Sequence, residues 1–411
     1  MSDKTNFHED PSPLADLEAD AGPPKITDET VRPWLQHDTG DAKPHVPRCI
    51  VPDILATPAD VDIAQRLLNA YALAREQARS HQAIGPDIWS AIRSLQSNFI
   101  SMLEKNDPEA LAAYLCNMSR HDATIGITQG DGEYRWISSS TAYQDFRALL
   151  IKDKLVSFAE AVGALQCECP EQGPWGTHLH MDIEELFQLL QDRLGQSLVP
   201  PEVDGGLFKL PVGGGHVHDR DLYAQFSAWI MRELLGPGAS VCEIGAGVGR
   251  SAFWAHRFGA HAYTILDLPH INVLQGFYLL KTLPTDRVQL FCEDVPDPAV
   301  RIWPHFGTSH LSADEFDIVF SQDALPEIHK DAALWYLKWA KGMGTGWFLS
   351  INQEAGAAYT QNFADAPTET DPRQNVAFDL MAQVGGFRRM FRTPYWLRKG
   401  YVSELYRIGD R

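Results

Sequence analysis

The chain has 411 residues, of which 44% are hydrophobic, enough for one main domain and a substantial second one. Its 54 acidic and 35 basic side chains give a formal net charge of -19. An electrostatic field of this sign repels phosphate backbones and anionic lipid surfaces, so the composition argues against binding to nucleic acid or to a membrane surface.

The first segment, residues 1–59, is rich in Pro, Asp and Thr and predicts an irregular acidic arm. It has no apolar signal core, and no stretch of the chain approaches the roughly 20 apolar residues that cross a bilayer. The 6 cysteines are too few and too scattered for a disulfide framework. We therefore expect a reducing, cytoplasmic location and no membrane insertion.

Residues 60–204 predict a mostly α-helical N-terminal domain. The stretch "DIWSAIRSLQSNFISMLEK" repeats apolar residues at three-to-four spacing, the pattern of one buried helix face. Further on, Asp107 followed by Pro108 is a helix start signal. Asp182 with Glu185 three residues later has the spacing of a capping box.

A loop between these helices, "CECPEQGPWGTHLHM", carries possible metal ligands. Its sulfur and imidazole groups are Cys167, Cys169, His178 and His180, and both kinds of ligand suit zinc. Their spacing is unlike the usual C-x-x-C knuckle, so the pattern favours loop cysteines and surface histidines, and we predict no metal.

The stretch "PVGGGHVHDRDLY" leads from a glycine loop into a helix just before the α/β part of the chain. The glycines could serve only to allow a tight entry into that helix. A helix that leads into a ligand site often forms a wall of its pocket, and on that interpretation His218 contacts the substrate.

From Ser240 onward, short β-branched runs alternate with stretches of helix length, which predicts βαβ units and a parallel sheet covered by helices on both faces. The last two runs, "FRRMFRTPYWL" and "YVSELYRI", are separated only by a turn around Arg398 to Gly400 and predict a hairpin that closes the sheet. Residues 205–411 thus predict a Rossmann-like α/β domain with a terminal β-hairpin.

A glycine loop, "VCEIGAGVGR", ends the first of these strands. The dinucleotide fingerprint G-x-G-x-x-G fails because Arg250 stands where its last glycine belongs. A phosphate loop is not supported either, since no Lys-Ser or Lys-Thr pair follows. The glycines of the loop, Gly245, Gly247 and Gly249, follow the acid Glu243.

This E-x-G-x-G-x-G pattern resembles motif I of class I methyltransferases, which use S-adenosylmethionine (SAM). Together, "EIGAGVGR", "YTILDLPHINVLQGFYL", "FDIVFSQDALPEI" and "FLSINQEA" resemble the sugar O-methyltransferase family of bacteria over roughly residues 205–411. The helical region before them carries no motif that matches this family.

The resemblance implies a set of cofactor contacts. The loop glycines and Glu243 would hold the methionine part of SAM. Asp267, 18 residues after Gly249, would accept the ribose hydroxyls, or it could merely cap the following helix. Leu268 lies beside it, and Asp294 at the end of the third predicted strand would bind the adenine amino group.

The segment "SQDALPEIHKD" after the fourth strand predicts the catalytic groups. Methyl transfer to a hydroxyl needs a base, and histidine is a side chain suited to this role at neutral pH, which favours His329, with Glu327 to orient or replace it. His329 could instead be a surface residue at a helix start. Gln322 and Asp323 are placed to contact the cofactor.

The segment "SINQEA" after the fifth strand predicts substrate contacts from Asn352 and Glu354, polar groups that suit sugar hydroxyls. Chain termination into a polar loop explains both residues equally well. No adjacent Asp-Asp pair follows the fourth strand, which favours metal-independent chemistry.

The sequence therefore predicts a SAM-dependent O-methyltransferase with a sugar or glycan acceptor. One alternative is methylation of another small-molecule hydroxyl, such as a natural-product phenol. A second alternative is a non-catalytic protein with a methyltransferase fold that binds SAM and acts as a partner.

Overall fold

A computed structural model describes residues 22–40, 43–78, 88–312, 315–342, 346–354 and 375–409. The first half is mainly helical. Its elements are α1 Asp28–Val31, β1 Cys49–Ile50, α2 Pro58–Ala78, α3 Ile88–Leu95, α4 Ser97–Lys105, α5 Pro108–Leu115, α6 Gly130–Ser139, α7 Thr141–Ala161 and α8 Ile183–Leu194. Short 3₁₀ turns cover Arg32–Trp34, Met118–Arg120, Asp122–Thr124 and His178–His180.

The second half alternates strands and helices. Its elements are β2 Phe208–Val212, β3 Gly215–Val217, α9 Asp219–Leu235, β4 Ser240–Ile244, α10 Arg250–Arg257, β5 Ala262–Asp267, α11 Pro269–Thr282, β6 Val288–Leu290, β7 Val300–Pro304, β8 Ile318–Gln322, α12 Lys330–Lys341, β9 Gly346–Gln353, α13 Ala377–Val384, β10 Phe387–Pro394 and β11 Tyr401–Ile408. Two further 3₁₀ turns cover Thr285–Arg287 and His305–His310.

The main sheet has eight strands in the order β10-β11-β9-β8-β4-β5-β7-β6. The pairs from β9 to β6 are parallel, and β11 and β10 add an antiparallel hairpin to the β9 edge. This arrangement confirms the predicted Rossmann-like α/β sheet with a terminal hairpin. The chain reverses its direction of winding at β4, since β5 lies on one side of that strand and β8 on the other.

One part of the strand prediction is corrected. The run "VQLFC" was expected to form a third strand that ends with Glu293 and Asp294, but its strand β6 ends at Leu290 and lies at the edge of the sheet. The neighbour of β5 is β7, which pairs with it from Tyr263/Val300 to Asp267/Pro304. The alternation of buried Val300 and Ile302 with half-buried Arg301 and Trp303 is the local signal for this additional strand.

The helix start signals are confirmed at both predicted sites. The Asp107 side chain accepts the Ala110 N–H, and the Asp182 side chain accepts the N–H groups of Glu184 and Glu185. The described part of this stretch, residues 88–105, forms two helices rather than one continuous helix. They meet at Gln96, whose ψ of 26° departs from helical geometry and whose side-chain amide donates to the Ala123 carbonyl at 2.9 Å.

The helical half packs directly on the sheet half, and one hydrophobic core runs through both. The rings of Phe158 in α7 and Phe226 in α9 lie 5.3 Å apart, centroid to centroid. In addition, α2 packs along α11, and Lys281 pairs with the buried Asp60 at 2.6 Å. The predicted boundary between residues 204 and 205 therefore crosses a shared core, and the division into domains stays a prediction.

The described part of the predicted arm contains α1 and β1. Strand β1 pairs with β2 and extends the small antiparallel sheet β1-β2-β3. None of the described helices has both the length and the apolar character to cross a membrane.

Candidate active site

A cavity of about 450 Å³ opens at the carboxyl ends of β4, β5 and β8. This is the position at which open α/β sheets bind ligands, next to the strand where the winding reverses. The helical half contributes Trp89, Arg93 and the segment 126–128 to its wall. Both halves of the chain therefore enclose one site.

The glycine loop forms the floor of the cavity. Gly245 and Gly247 have φ values of 76° and 56°, a region that residues with a side chain rarely adopt. A Cβ atom at Gly245 would lie 2.5 Å from the Cβ of Ala324, so the close approach of β4 and β8 also excludes a side chain there. Gly249 is the N-terminal cap of α10 and does not line the cavity.

Asp267 lies at the end of β5, beside the glycine loop. Its Oδ2 accepts the Ala246 N–H at 2.9 Å and the Gln275 side-chain amide at 2.7 Å. Its Oδ1 accepts the N–H of Leu268, which also lines the cavity. Burial raises the pKa of Asp267 to about 6 despite these donors. No side chain caps α11, so Asp267 remains directed at the loop and the cavity.

Glu243 is the most deeply buried acid of the cavity wall, with 2% of its surface exposed. The Tyr263 hydroxyl donates to its Oε2 at 2.8 Å. Burial raises the pKa of Glu243 to about 8. Without a positively charged partner this carboxyl group holds its proton at neutral pH.

Arg250, the residue that broke the dinucleotide pattern, opens α10 and is buried. Its Nε donates to Asp221 Oδ1 in α9 at 3.0 Å, and its guanidinium lies over the Tyr278 ring. An arginine already paired in this way ties α9 to α10.

Asp323 follows β8 in the left-handed conformation, with φ 63°. Its Oδ2 accepts from Arg398 at 2.7 Å and from Arg220 at 3.2 Å, and its Oδ1 accepts the Tyr401 hydroxyl. Burial opposes ionisation of Asp323, but the two guanidinium groups outweigh it and hold its pKa below the usual value. The side-chain oxygen of the preceding residue, Gln322, accepts a hydrogen bond from the Ser227 hydroxyl at 2.7 Å. Gln322 and Asp323 both line the cavity.

Glu327 lines the cavity one turn beyond Asp323. Burial and the neighbouring Asp323 carboxylate raise its pKa to about 8, while a hydrogen bond from the Trp89 indole favours the ionised form. A carboxyl group with this pKa can take up a proton near neutral pH. Glu327 thus has both the exposure to the cavity and the proton affinity of an acid–base group.

His329 lies outside the cavity wall, contrary to its predicted role as base. It caps α12, where its Nδ1 accepts the Asp331 N–H at 3.2 Å. The alternative interpretation, a residue at a helix start, is the one that the structure supports. The lone pair that would have taken a proton is used by the helix.

The predicted substrate contacts are also corrected, because other groups of the chain hold all three. His218 is 1% exposed and caps α9 in a capping box with Asp221. Asn352 is buried and binds Ala324 N, Ser321 O and Ser350 Oγ. Glu354 forms a two-bond ion pair with Arg392 at 2.7 and 2.8 Å. Each lies outside the cavity wall.

Asp294 is exposed in the loop after β6, outside the cavity wall, so its predicted contact with adenine is corrected. The reason is the extra strand β7, which separates β6 from β5. The residue that follows β7 is His305, and it lines the cavity in the place expected for the end of the third strand.

Several cavity residues were missing from the sequence prediction. The largest contribution comes from the helical half, with Trp89, Arg93 and Thr128, and from α9, with Arg220 and Tyr223. The Thr128 hydroxyl is buried and has no hydrogen-bond partner in the described structure. A buried hydroxyl without a partner in a cavity wall is available to a ligand.

We expect Asn352→Leu to lower the free energy of unfolding by about 1–3 kcal/mol, since it leaves the buried Ala324 N–H and Ser321 carbonyl unpaired. Denaturant titration measures this change. Glu354→Gln is the matched control, and its solvent-exposed ion pair predicts a loss below about 1 kcal/mol. Unchanged stability of Asn352→Leu would instead favour the substrate-binding role.

Comparison of the sequence with models of protein families and with the sequences of curated proteins gave no match. The fold is similar to those of solved methyltransferases at low identity. The 1,6-didemethyltoxoflavin-N1-methyltransferase of Burkholderia thailandensis, solved with S-adenosylhomocysteine, is 21% identical with a TM-score of 0.30 and covers 46% of this chain and 82% of its own.

Two further solved structures are similar over the same share of the chain. The magnesium protoporphyrin IX methyltransferase of Synechocystis PCC 6803, solved with SAM, is 14% identical with a TM-score of 0.30, covering 46% of this chain and 82% of its own. The ribosomal protein L11 methylase of Lactobacillus delbrueckii subsp. bulgaricus is 11% identical with a TM-score of 0.28, covering 46% and 80%. Likeness at this level assigns neither an acceptor nor a residue role to this chain.

Proposed function

We propose that this protein is a SAM-dependent O-methyltransferase that acts on a hydroxyl of a sugar or glycan. The observation that carries the proposal is the cavity at the reversal point of the sheet, where the Gly245 to Gly247 loop, Asp267 and Glu327 meet. The glycine loop and Asp267 suit a nucleoside cofactor, and Glu327 supplies acid–base chemistry in the same cavity.

The residues of the cavity fit SAM in shape and in charge. A side chain on Gly245 would clash with Ala324, so bare backbone faces the ligand. Asp267 keeps lone pairs for ribose hydroxyls, and Thr128 offers an unpaired hydroxyl. Glu243, buried and without a cation in contact, would pair with the ammonium group of the cofactor.

The size of the cavity agrees with that of a small-molecule site. Pockets for such ligands usually enclose about 300–1,000 Å³, and this one measures about 450 Å³. SAM supplies an electrophilic methyl group on a sulfonium centre. The chain must then place an acceptor oxygen in line with that methyl and remove its proton.

Glu327 is the base in this proposal. Its carboxylate accepts the proton of the acceptor hydroxyl, and the Trp89 indole N–H fixes the orientation of the carboxylate. Arg220 and Arg398 keep Asp323 ionised beside it, so Asp323 raises the proton affinity of Glu327 and does not compete for the proton. The helical half covers this end of the cavity and limits the access of water.

A sugar is the acceptor class that the cavity wall favours. Trp89 and Trp335 line the cavity, as do the carboxylic acids Asp323 and Glu327. Aromatic faces and carboxylates together match a ring that has apolar faces and hydroxyls around its edge. This agrees with the sequence resemblance to sugar O-methyltransferases.

We expect calorimetry to detect binding of SAM and of S-adenosylhomocysteine to the full chain. Asp267→Asn should weaken that binding about 10–100-fold, because it removes a charged acceptor from the ribose site. Asp294→Asn, an exposed acid outside the cavity, is the matched control and should bind with unchanged affinity. Absence of heat with the wild-type chain would refute the cofactor assignment.

We expect Glu327→Gln to lower kcat by about 10²–10⁴-fold with the SAM affinity kept, since the amide cannot take up a proton. Because the pKa of Glu327 is raised to about 8, the wild-type rate should increase as the pH rises from 7 to 9 and the carboxylate form accumulates. His329→Ala should keep both the rate and this pH profile. Full turnover of Glu327→Gln would remove Glu327 as the base.

The acceptor class is tested by transfer of labelled methyl groups from SAM to a panel of nucleotide sugars, free glycans and phenols. We expect label in one or more of the sugars and none in the phenols. Transfer to phenols alone would replace the sugar assignment with the natural-product alternative. Binding of SAM without transfer to any member of the panel would favour the non-catalytic alternative.

A further inference from the structure

A second cluster of chemically active side chains lies away from the cavity, at the C-terminal end of α7. It combines Glu160 of α7, Glu168 of the following loop, His178 at the start of the 3₁₀ turn His178–His180, and His37 from the N-terminal segment. None of the four lines the active-site cavity.

The ligand atoms of these side chains lie close together. His37 Nε2 is 3.9 Å from Glu160 Oε2, and His178 Nδ1 is 3.2 Å from Glu160 Oε1. His178 Nε2 is 3.9 Å from Glu168 Oε1. One donor atom each of His37, Glu160 and Glu168 fits within a mutual distance of 4.8 Å.

Burial and charge set this cluster apart from an ordinary surface group of acids. The exposed fractions of the side chains are 7% for His37, 5% for Glu160 and 8% for Glu168. In the described part of the chain, the ion pairs of both carboxylates are with histidines and include no lysine or arginine. Two buried carboxylates lose their hydration, and a positive partner of comparable charge would compensate for that loss.

The surrounding hydrogen bonds orient the carboxylates. Glu168 accepts the N–H groups of Gly176, Thr177 and His178 and the Thr177 hydroxyl. The Glu168 N–H in turn reaches Glu160 Oε1 at 3.4 Å. Outer hydrogen bonds of this kind are typical of the side chains that bind metal ions.

His37 is held in the same manner. Its backbone N–H donates to Asp153 Oδ1 at 3.1 Å, and its Nε2 lies 3.2 Å from the Ser157 hydroxyl. The Ser157 hydroxyl donates to the Asp153 carbonyl. For Nε2 to bind a metal, the ring proton must sit on Nδ1 and the contact with Ser157 must open.

We propose that His37, Glu160 and Glu168 bind one Zn²⁺ ion. An imidazole nitrogen beside carboxylate oxygens suits zinc better than calcium or magnesium, which take oxygen ligands alone. Zinc bonds of about 2.0–2.2 Å place neighbouring ligand atoms about 3.3–3.6 Å apart, so donor atoms that lie within 4.8 Å of one another move closer when the ion binds.

The role of this site is structural. The ion joins two parts of the chain that are distant in sequence: the N-terminal segment at His37, and the end of α7 with the loop that follows it. This departs from the expectation of no metal. The proposed ligands also differ from the four residues that the sequence offered for zinc, Cys167, Cys169, His178 and His180. Cys167 is exposed, and His180 Nε2 is bonded to the Thr39 carbonyl. The proposal does not depend on the proposed methyltransferase function.

Titration of the chelator-treated full chain with Zn²⁺ alone tests the site. We expect about one equivalent to bind, with a higher melting temperature on binding, and a loss of affinity of at least about 10–100-fold in Glu160→Gln and in His37→Ala. The double change Cys167→Ser with Cys169→Ser is the control and should bind like the wild type. Far-UV circular dichroism and a cooperative thermal transition verify that each variant is folded.

Zinc-edge X-ray absorption of the loaded chain gives the second measurement. We expect only nitrogen and oxygen neighbours at about 2.0–2.2 Å. A sulfur shell at about 2.3 Å, or binding that survives in both Glu160→Gln and His37→Ala, would overturn the proposal in favour of an adventitious ion on the cysteines. Failure of the wild-type chain to bind Zn²⁺ would overturn it as well, whatever the outcome of the methyl-transfer experiments.

Discussion

The Asp323 carboxylate is the contact through which the separate parts of the site are held together. It joins α9 through Arg220, the end of β8 through its own backbone, and the C-terminal hairpin through Arg398 and Tyr401. Two guanidinium groups on one carboxylate leave the local charge positive, so Asp323 stays ionised in spite of burial. Its fixed negative charge then acts on Glu327, whose environment already disfavours the ionised form.

The helical half also contributes residues to the site. Trp89 reaches Glu327 from α3, and residues 126–128 lie against the glycine loop, where Gly247 faces Ile127. Without the helical half, this side of the cavity would be open to water. Because one hydrophobic core joins the two halves, the position of Trp89 is set by packing over the whole molecule and not by a short flexible cover.

The sequence was informative where function depends on local backbone geometry. The spacing of Glu243, Gly245, Gly247 and Asp267 predicts a turn and an acid at adjacent strand ends, and the structure brings all four to the cavity. Glu327, Gln322, Asp323 and Leu268 were also placed there by their position after a strand. The surrounding residues of the helical half could not be predicted, since their approach depends on long-range packing.

The wrong assignments share a physical cause. Polar residues at the ends of strands and helices satisfy unpaired backbone groups as often as they bind ligands. His218, His329 and Asn352 each occupy such a position, and each uses its side chain to bond a nearby N–H or carbonyl group. From sequence alone the two uses have the same appearance. Asp294 failed for a different reason, the unrecognised strand β7.

The distribution of acids explains why the loop suits a sulfonium nucleoside better than a dinucleotide. Burial raises the pKa of Glu243 and Glu327 to about 8 and that of Asp267 to about 6. These carboxyl groups repel a pyrophosphate when they are ionised. A cofactor with an ammonium and a sulfonium charge has the opposite effect, since it favours the ionised carboxylates and is favoured by them. Because Arg250 is already paired with Asp221, it does not offset this preference. The acids of the cavity and the glycine spacing therefore favour the same kind of proposed ligand.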